Sequence, residues 1–259
     1  MNKSVKEYAF TEQKVRWVKK HTPKLLSFSI TRPADFDFIA GQFAKLSFMN
    51  GDNYVSRAYS MISSETAEYL DFYAILIEDG IMSDHFKQMQ AGDTLLLDKK
   101  PVGFFTVNRI PQGKALILLA TGSGIAPFLS MLQSAEFWQK AGKIVLVHSV
   151  SYADDLVFEQ YLADLKDHSL IGQYTDKLVY QPVITREKVN GTLHQRIPQL
   201  LESGELEHAL NISFNKADTR FLICGNPNMV KASYDHLKAK GYALHRVHKN
   251  GEIMMENAF

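Results

Sequence analysis

Cysteine is almost missing from this sequence, since Cys224 is the only one in 259 residues. A single thiol excludes an intrachain disulfide framework, a cysteine-based zinc site and a cysteine-ligated iron–sulfur cluster. Also lacking is any apolar run of about 18 residues, the length that crosses a bilayer, and residues 1–7 contain no apolar stretch of a secretory signal. We therefore expect no metal centre, no membrane partner and a location in the reducing cytoplasm.

The sequence also lacks an excess of charge of either sign, because 29 Lys and Arg residues nearly balance 28 Asp and Glu residues, for a formal net charge of +1. This balance argues against the strong field of a nucleic-acid-binding protein, and we expect no nucleic-acid partner. Internal repeats and low-complexity segments are absent too. A length of 259 residues, 46% of them hydrophobic, instead fits two globular domains, each with its own core.

The first part of the chain, from Val5 to about Leu97, consists of short extended segments separated by turn residues. Such a series, with few helical windows, predicts an antiparallel barrel or sandwich. The candidate strands are residues 15–22, 25–30, 43–48, 53–62 and 69–77. One interruption follows them: Gly80 ends a strand, and Ser83 is a candidate N-cap for a short helix over residues 84–89. The N-terminus of this helix suits a diphosphate, although a helix that only closes the barrel is the simpler interpretation of this segment alone.

One of these candidate strands contains the sequence Arg57-Ala58-Tyr59-Ser60. The alternation of side chains along a strand places Arg57 and Tyr59 on one face and Ala58 and Ser60 on the other. The motif thus combines a guanidinium for phosphate, a flat ring for stacking and a hydroxyl, with a small residue that leaves room. These are the groups that a flavin dinucleotide requires. On four residues alone, an ordinary edge strand remains the simpler interpretation.

The pattern changes after Pro111-Gln112-Gly113. A continuous apolar run over residues 115–120 is typical of a parallel strand covered on both faces. It leads into a glycine turn over residues 121–124 and then into an amphipathic helical stretch, the order that holds a dinucleotide pyrophosphate. Further candidate strands, at residues 143–149, 177–183, 220–225 and 242–247, alternate with candidate helices at residues 154–165, 197–201 and 226–240. This alternation predicts a doubly wound parallel sheet, with ligands at the carboxyl ends of its strands.

Four motifs therefore follow one another along the chain. They are Arg57-Ala58-Tyr59-Ser60, Gly80-Ile81-Met82-Ser83, the segment from Ala120 to Pro127, and the segment from Cys224 to Met229. In this order they resemble those of the ferredoxin–NADP reductase family, and most closely its bacterial ferredoxin/flavodoxin reductases. The resemblance implies an FAD-binding antiparallel β-barrel domain over about residues 1–108. It also implies an NADP-binding α/β domain, with a Rossmann-like parallel sheet, over residues 109–259.

The resemblance implies specific roles for residues of the FAD site. Arg57 would pair with the FAD pyrophosphate, Tyr59 would lie along the flavin, and Ser60 would form a hydrogen bond near the reactive ring nitrogen. In this family the C-terminus also covers the flavin; here Ala258 falls where the covering ring would be, and Phe259 would stack on the adenine. The remaining residues implied to contact FAD are Ala58, Tyr73, Ala74, Ile75, Ile81, Met82, Ser83 and Thr121.

The resemblance also implies an NADP site along the carboxyl ends of the parallel strands. Arg186 and Arg196 match positions where relatives bind the 2′-phosphate, for which arginine supplies a fixed bidentate charge. Ser151 stands where many bacterial relatives have a further arginine, so a preference for NADPH would rest on the other two. The residues implied to contact NADP are Gly122, Ser123, Gly124, Ser151, Thr185, Arg186, Arg196, Cys224, Gly225 and Asn226.

The implied activity is electron transfer between NADPH and ferredoxin or flavodoxin through FAD. Ser60, Cys224 and Glu256 are the implied catalytic residues around the hydride transfer, although Cys224 would also suit a small buried apolar position. Basic residues within segments 14–20 and 238–249 would attract acidic partners, unless they form an ordinary solvated surface. We expect a monomer. The alternatives are a general flavin or quinone reductase, an oxygenase reductase component, or a non-catalytic flavin-binding subunit of a larger assembly.

Overall fold

The computed structural model describes residues 10–258, and the chain divides into two compact units. The first unit contains the residues up to Thr106 together with Ala126–Gln133. The second contains Val107–Ile125 and the residues from Ser134 onward. The segment 126–133 thus packs with the first unit, although the predicted domain division places it in the second domain. None of the helices among the described residues has the length and hydropathy of a membrane span.

The first unit is built on a six-stranded sheet in the order β4-β3-β6-β1-β2-β5, with antiparallel pairing between neighbours. Its strands are β1 (Phe10–Thr22), β2 (Leu25–Thr31), β3 (Phe43–Asn50), β4 (Asn53–Ser60), β5 (Tyr69–Ile75) and β6 (Thr94–Asp98). Just after β4, Met61 forms an isolated bridge with Phe72 of β5, and the Ile62 N–H donates to the Asp71 carbonyl oxygen at 2.8 Å. The two edges of the sheet therefore approach each other, as in a barrel, which confirms the predicted antiparallel architecture.

The described part of the first unit contains two α-helices, α1 (Ile81–Gln88) and α2 (Ala126–Met131). The Phe86 side chain of α1 enters the core, with its ring centroid 4.9 Å from that of Phe28. The prediction for the start of α1 was wrong, because the helix begins at Ile81 and Gly80 is its N-cap. Ser83 does not cap the helix. Its Oγ instead accepts a hydrogen bond from the Ile77 N–H, in the segment before the helix, at 2.8 Å.

The second unit contains a five-stranded parallel sheet in the order β11-β10-β7-β8-β9. Its strands are β7 (Ala115–Thr121), β8 (Lys143–Val150), β9 (Leu178–Ile184), β10 (Thr219–Gly225) and β11 (Ile253–Asn257). Its helices are α3 (Ala135–Trp138), α4 (Glu159–Asp164), α5 (Ile197–Ser203), α6 (Glu205–Leu210) and α7 (Pro227–Ala239). Strand order reverses between β7 and β10, which is the position where open α/β sheets bind ligands. The predicted parallel sheet is confirmed.

The last strand of this sheet differs from the prediction. Residues 242–247 form no strand; Leu244 makes only an isolated bridge to Ile253, and Arg246 makes another to Lys249. The edge of β10 is instead paired with β11, in which Ile253 is fully buried. Tyr242, whose position suggested a strand, packs edge-to-face on Phe221 with the ring centroids 5.2 Å apart. The Tyr242 ring is therefore part of the core of the second unit, although the residue is not in a strand.

The helical segments of the second unit also differ in detail from their predicted bounds. The predicted helix over residues 154–165 is divided into a 3-10 turn at Ala153–Asp155 and the helix α4. A left-handed Gly204, with φ 75°, separates α5 from α6, and α6 was not predicted. The predicted helix after β10 is confirmed: α7 begins at Pro227, and the Asn226 side chain accepts the Asn228 N–H as its cap.

Candidate functional site

The Arg57–Ser60 motif lies on β4, at one edge of the sheet of the first unit. β4 pairs with β3 in a register that places Arg57 opposite Leu46 and Ser60 opposite Phe43. Arg57 and Ala58 are exposed, whereas Tyr59 and Ser60 are half-buried. The edge strand therefore presents a cation, a small residue, an aromatic ring and a hydroxyl along one accessible border of the sheet.

Tyr59 is fixed more firmly than an ordinary surface tyrosine. Its ring packs against the core of the first unit and lies 5.4 Å, between centroids, from the Phe86 ring of α1. Burial raises the pKa of Tyr59 to about 12, and the nearby Arg57 only partly opposes this effect. The phenol is therefore neutral at physiological pH, and its ring offers a fixed flat surface next to the Arg57 guanidinium.

The N-terminus of α1 is a second feature of this unit that suits a bound anion. The N-cap residue, Gly80, forms no side-chain capping hydrogen bond. The N–H groups of the first helical turn are therefore available to a ligand. Those groups and the positive end of the helix dipole favour an anion. Ile81 is 51% exposed, while Met82 and Ser83 are buried.

The predicted contacts on β5 lie at the opposite edge of the sheet from β4 in strand order. Tyr73 and Ala74 are buried, and Ile75 is 36% exposed at the end of the strand. Of these three residues, only Ile75 is exposed along this edge. Their implied contact with FAD remains a prediction.

In the second unit, the turns after β7 and β10 are locked together. The Thr121 hydroxyl oxygen accepts the Asn226 N–H at 2.8 Å. A Cβ added to Gly124 would lie 2.3 Å from the Cys224 carbonyl oxygen, and one added to Gly225, whose φ is 143°, would lie 2.1 Å from Thr121 Oγ1. Only glycine fits at these two positions, so the sequence of both turns is set by their close approach.

Cys224 and Glu256 are neighbours across this edge, because β10 and β11 pair in a register that matches the two residues. Cys224 is 1% exposed. Burial, and then the nearby Glu256, raises the pKa of the Cys224 thiol well above its ordinary value. Burial also raises the pKa of Glu256 to about 7. The pair therefore consists of a neutral thiol and a carboxyl group that gains or loses a proton near neutral pH.

The C-terminal residues continue this arrangement. The Ala258 N–H donates to the Gly225 carbonyl oxygen at 2.9 Å, which ties the end of the chain to the turn after β10. Ala258 is therefore ordered within the second unit, and the contact of its side chain with FAD stays a prediction. Phe259 lies outside the described residues.

The loops after β8 and β9 hold the predicted phosphate-binding residues. The Thr185 N–H and hydroxyl both donate to the Val150 carbonyl oxygen at 3.1 Å, and the Arg186 N–H donates to the Ser151 carbonyl oxygen at 3.0 Å. The structure thus brings Ser151 and Arg186 together, with the exposed Arg186 guanidinium 6.0 Å from the Tyr152 ring centroid. A cation and an aromatic ring at one loop pair suit a phosphorylated nucleoside.

Arg196 is placed separately, at the start of α5. It is exposed, and its backbone N–H donates to the Gln199 Oε1 at 3.2 Å. Its side chain is therefore available to an anion. That Arg196 and Arg186 bind the same phosphate group remains a prediction.

Sequence reasoning missed one buried polar residue close to the glycine turn, His148 of β8. Its Nε2 lies 3.1 Å from the Gly122 carbonyl oxygen. The only signal in the sequence was a histidine directly after the apolar run 144–147. Missed too was the strand that contains Glu256, since the end of the chain was interpreted as a segment that covers the flavin and no strand was predicted there.

Taken together, the fold and the two sets of residues define a two-domain oxidoreductase of the flavin- and nicotinamide-nucleotide type. Residues 15–106 match the oxidoreductase FAD-binding domain family, and residues 118–235 match the oxidoreductase NAD-binding domain family. The chain is 37% identical over 246 residues to the flavodoxin/ferredoxin–NADP reductase of Buchnera aphidicola, with 94% of this chain and 96% of that protein covered. The chain belongs to the flavodoxin/ferredoxin–NADP reductase family.

Two further comparisons agree with this assignment. The chain is 36% identical over 218 residues to the flavodoxin/ferredoxin–NADP reductase of Escherichia coli K12, with 84% of this chain and 86% of that protein covered. It also superimposes with a TM-score of 0.89 on a crystal structure of a ferredoxin NADP+ reductase from Neisseria gonorrhoeae with bound FAD and NADP. That protein is 47% identical, and the match covers 97% of this chain and 99% of the other.

The raised pKa of Glu256 predicts a pH-dependent stability. The carboxyl group has a pKa of about 7 in the folded protein against an ordinary value of 4.5. Between these values the folded state binds more protons than the unfolded state, so stability falls as the pH rises. Glu256→Gln removes this effect, and we expect the variant to gain stability over the wild type between about pH 5 and about pH 8.

Urea unfolding of both proteins across this range measures the difference directly. Glu202→Gln, which changes an exposed carboxylate on α5, serves as the control and should follow the wild type. A constant difference between Glu256→Gln and the wild type at all pH values would contradict the assigned environment of Glu256.

Proposed function

We propose that this chain transfers electrons between NADPH and ferredoxin or flavodoxin, through FAD held by residues 1–108, with NADP(H) held by residues 109–259. The observation that carries the proposal is the pairing of Cys224 with Glu256 beside the interlocked glycine turns, in a chain that belongs to the flavodoxin/ferredoxin–NADP reductase family. The break between the two units at Thr106 and Val107 supports the proposed division. A reducing compartment, the cytoplasm, suits the single free thiol.

The residues of the first unit fit FAD. An exposed guanidinium and a helix N-terminus without a side-chain capping bond both favour a diphosphate, and the neutral Tyr59 ring offers a surface for a planar ring system. Ser60, half-buried at the end of β4, would hold a hydrogen bond to the flavin. Bound FAD would supply the chemistry that the side chains lack, the acceptance of a hydride and the release of its electrons one at a time.

The second unit would orient the nicotinamide. The neutral Cys224 thiol adds no charge next to the hydride path, and the absence of side chains at Gly124 and Gly225 lets the two turns pack directly against each other. Glu256 can hold a proton on its carboxyl group at neutral pH, so it can donate a hydrogen bond to the carboxamide of a nicotinamide. The small Ala258 would leave the nicotinamide side of the flavin less covered than an aromatic residue would.

Two exposed basic segments support an acidic partner. Lys14, Lys19 and Lys20 of β1 are exposed in the first unit. In the second unit an exposed basic group lies in the last turn of α7 and in the segment after it, formed by Lys238, Lys240, Arg246 and Lys249. Such groups accelerate the encounter with an acidic electron carrier and act less at high salt. We propose that the protein acts as a monomer in these encounters.

The function is tested by anaerobic reduction of the purified protein. We expect NADPH to bleach the flavin absorbance and the reduced protein to pass electrons to a ferredoxin or a flavodoxin. Rapid reduction of free flavins or quinones, with no transfer to either carrier protein, would favour the general reductase instead. A purified protein that is colourless and takes up no added FAD would contradict the proposal.

Arg57→Ala should weaken FAD binding, because a charge-assisted contact with the pyrophosphate is lost. We expect the affinity to fall about ten- to a hundredfold. The measurement is the ratio of flavin to protein after gel filtration, followed by titration with FAD. Lys45→Ala is the matched control, since Lys45 is exposed directly opposite Ala58 on β3. Full FAD content in Arg57→Ala would contradict the assigned role.

The double variant Arg186→Ala plus Arg196→Ala should lose the preference for NADPH. Two charge-assisted contacts are removed, so the KM for NADPH should rise about a hundredfold or more, while that for NADH changes little. Steady-state rates with both nucleotides and one ferredoxin acceptor measure this. Lys166→Ala plus Lys216→Ala, which removes two exposed charges elsewhere in the second unit, is the control. Equal losses with NADPH and NADH would argue against a 2′-phosphate site at these arginines.

A further inference from the structure

A histidine side chain connects the glycine turn after β7 to the interior of the parallel sheet. His148 of β8 is 0% exposed and follows the apolar residues 144–147 along the strand. Its Nε2 lies 3.1 Å from the Gly122 carbonyl oxygen, and its Nδ1 lies 3.4 Å from the Tyr180 hydroxyl on β9. The imidazole therefore contacts the turn with one nitrogen and the next strand with the other.

Only one neutral state of the ring satisfies both contacts. A carbonyl oxygen can only accept a hydrogen bond, so Nε2 must carry the proton that faces Gly122. Burial lowers the pKa of His148 to about 4, which leaves the ring neutral at physiological pH and Nδ1 without a proton. The Tyr180 hydroxyl then donates to Nδ1. This bond favours the tautomer with the proton on Nε2.

The direction of the Gly122 carbonyl sets the direction of the next N–H group. A trans peptide is planar, and its C=O and N–H point to opposite sides. Because the Gly122 carbonyl points at the imidazole, the Ser123 N–H points away from it. Gly122 has a φ of 51°, and glycine accepts several peptide orientations at little cost. The hydrogen bond from His148 therefore selects one orientation that the turn sequence alone leaves open.

We propose that His148 is a positioning residue for the nucleotide diphosphate: it holds the Gly122–Ser123 peptide so that the Ser123 N–H faces a bound NADP(H). This inference rests on the proposed function, since it specifies how the turn after β7 receives that nucleotide. Backbone N–H groups of such turns are the donors that hold phosphate oxygens. In His148→Leu, the new side chain would occupy the same buried space but would donate no hydrogen bond to the Gly122 carbonyl oxygen.

The test compares two ligands on the FAD-loaded protein. NADP+ contains the diphosphate, whereas adenosine 2′-monophosphate carries the 2′-phosphate without it. For His148→Leu we expect the dissociation constant of NADP+ to rise about tenfold, the loss of about one hydrogen bond, while that of the monophosphate stays within about twofold. His148→Gln, whose amide N–H can reach the position of Nε2, should restore NADP+ binding to within about threefold of the wild type.

The possible results distinguish a failure of the proposed role of His148 from a failure of the proposed function. Equal weakening of both ligands by His148→Leu would show a general distortion of the unit, and no weakening of either would show that the turn needs no support; each would overturn the inference. A wild-type protein that binds the monophosphate and FAD but not NADP+ would overturn the proposed function itself. Nitrogen NMR of the labelled ring provides an independent readout without nucleotide. A proton on Nδ1, or a charged ring at neutral pH, would also overturn the inference.

Discussion

The arrangement of the second unit depends on the close approach of two backbone turns at the carboxyl edge of its sheet. Thr121 Oγ1 accepts the Asn226 N–H at 2.8 Å, and neither Gly124 nor Gly225 has room for a side chain. This contact sets the end of β10 against the end of β7, at the reversal of strand order. The position of Cys224, and through strand pairing that of Glu256, follows from it.

Burial at this edge gives the two side chains complementary properties. The Cys224 thiol is kept neutral, since burial and the neighbouring carboxyl group both raise its pKa. Glu256, by contrast, has a pKa of about 7 and remains able to exchange a proton. In the proposed function, these properties would place a neutral group and a proton-bearing hydrogen-bond donor beside the nicotinamide. The cost is a destabilisation of the folded protein as the pH rises and Glu256 ionises.

The sequence predicted those parts of the structure that local patterns determine. The strand that bears Arg57–Ser60 and the glycine turn at 121–124 both follow from short-range alternation and strand-end chemistry. The predictions that failed concern parts of the structure that depend on long-range packing. Residues 253–257 form the last strand because the open edge of β10 accepts them, and no local pattern distinguishes them from residues 242–247. Likewise, the contact of His148 with the glycine turn arises only after β7 and β8 pair.

Amide hydrogen exchange with and without NADP+ tests the central claim most directly, namely that the interlocked turns form the nucleotide site. The account predicts that NADP+ slows exchange at Ser123, Gly124 and Asn226, at the carboxyl edge of the parallel sheet. Two surface depressions lie at the start of β7 and β10, lined by residues that include Lys114 and Arg220. Protection confined to these depressions, with no change at the turns, would contradict the account.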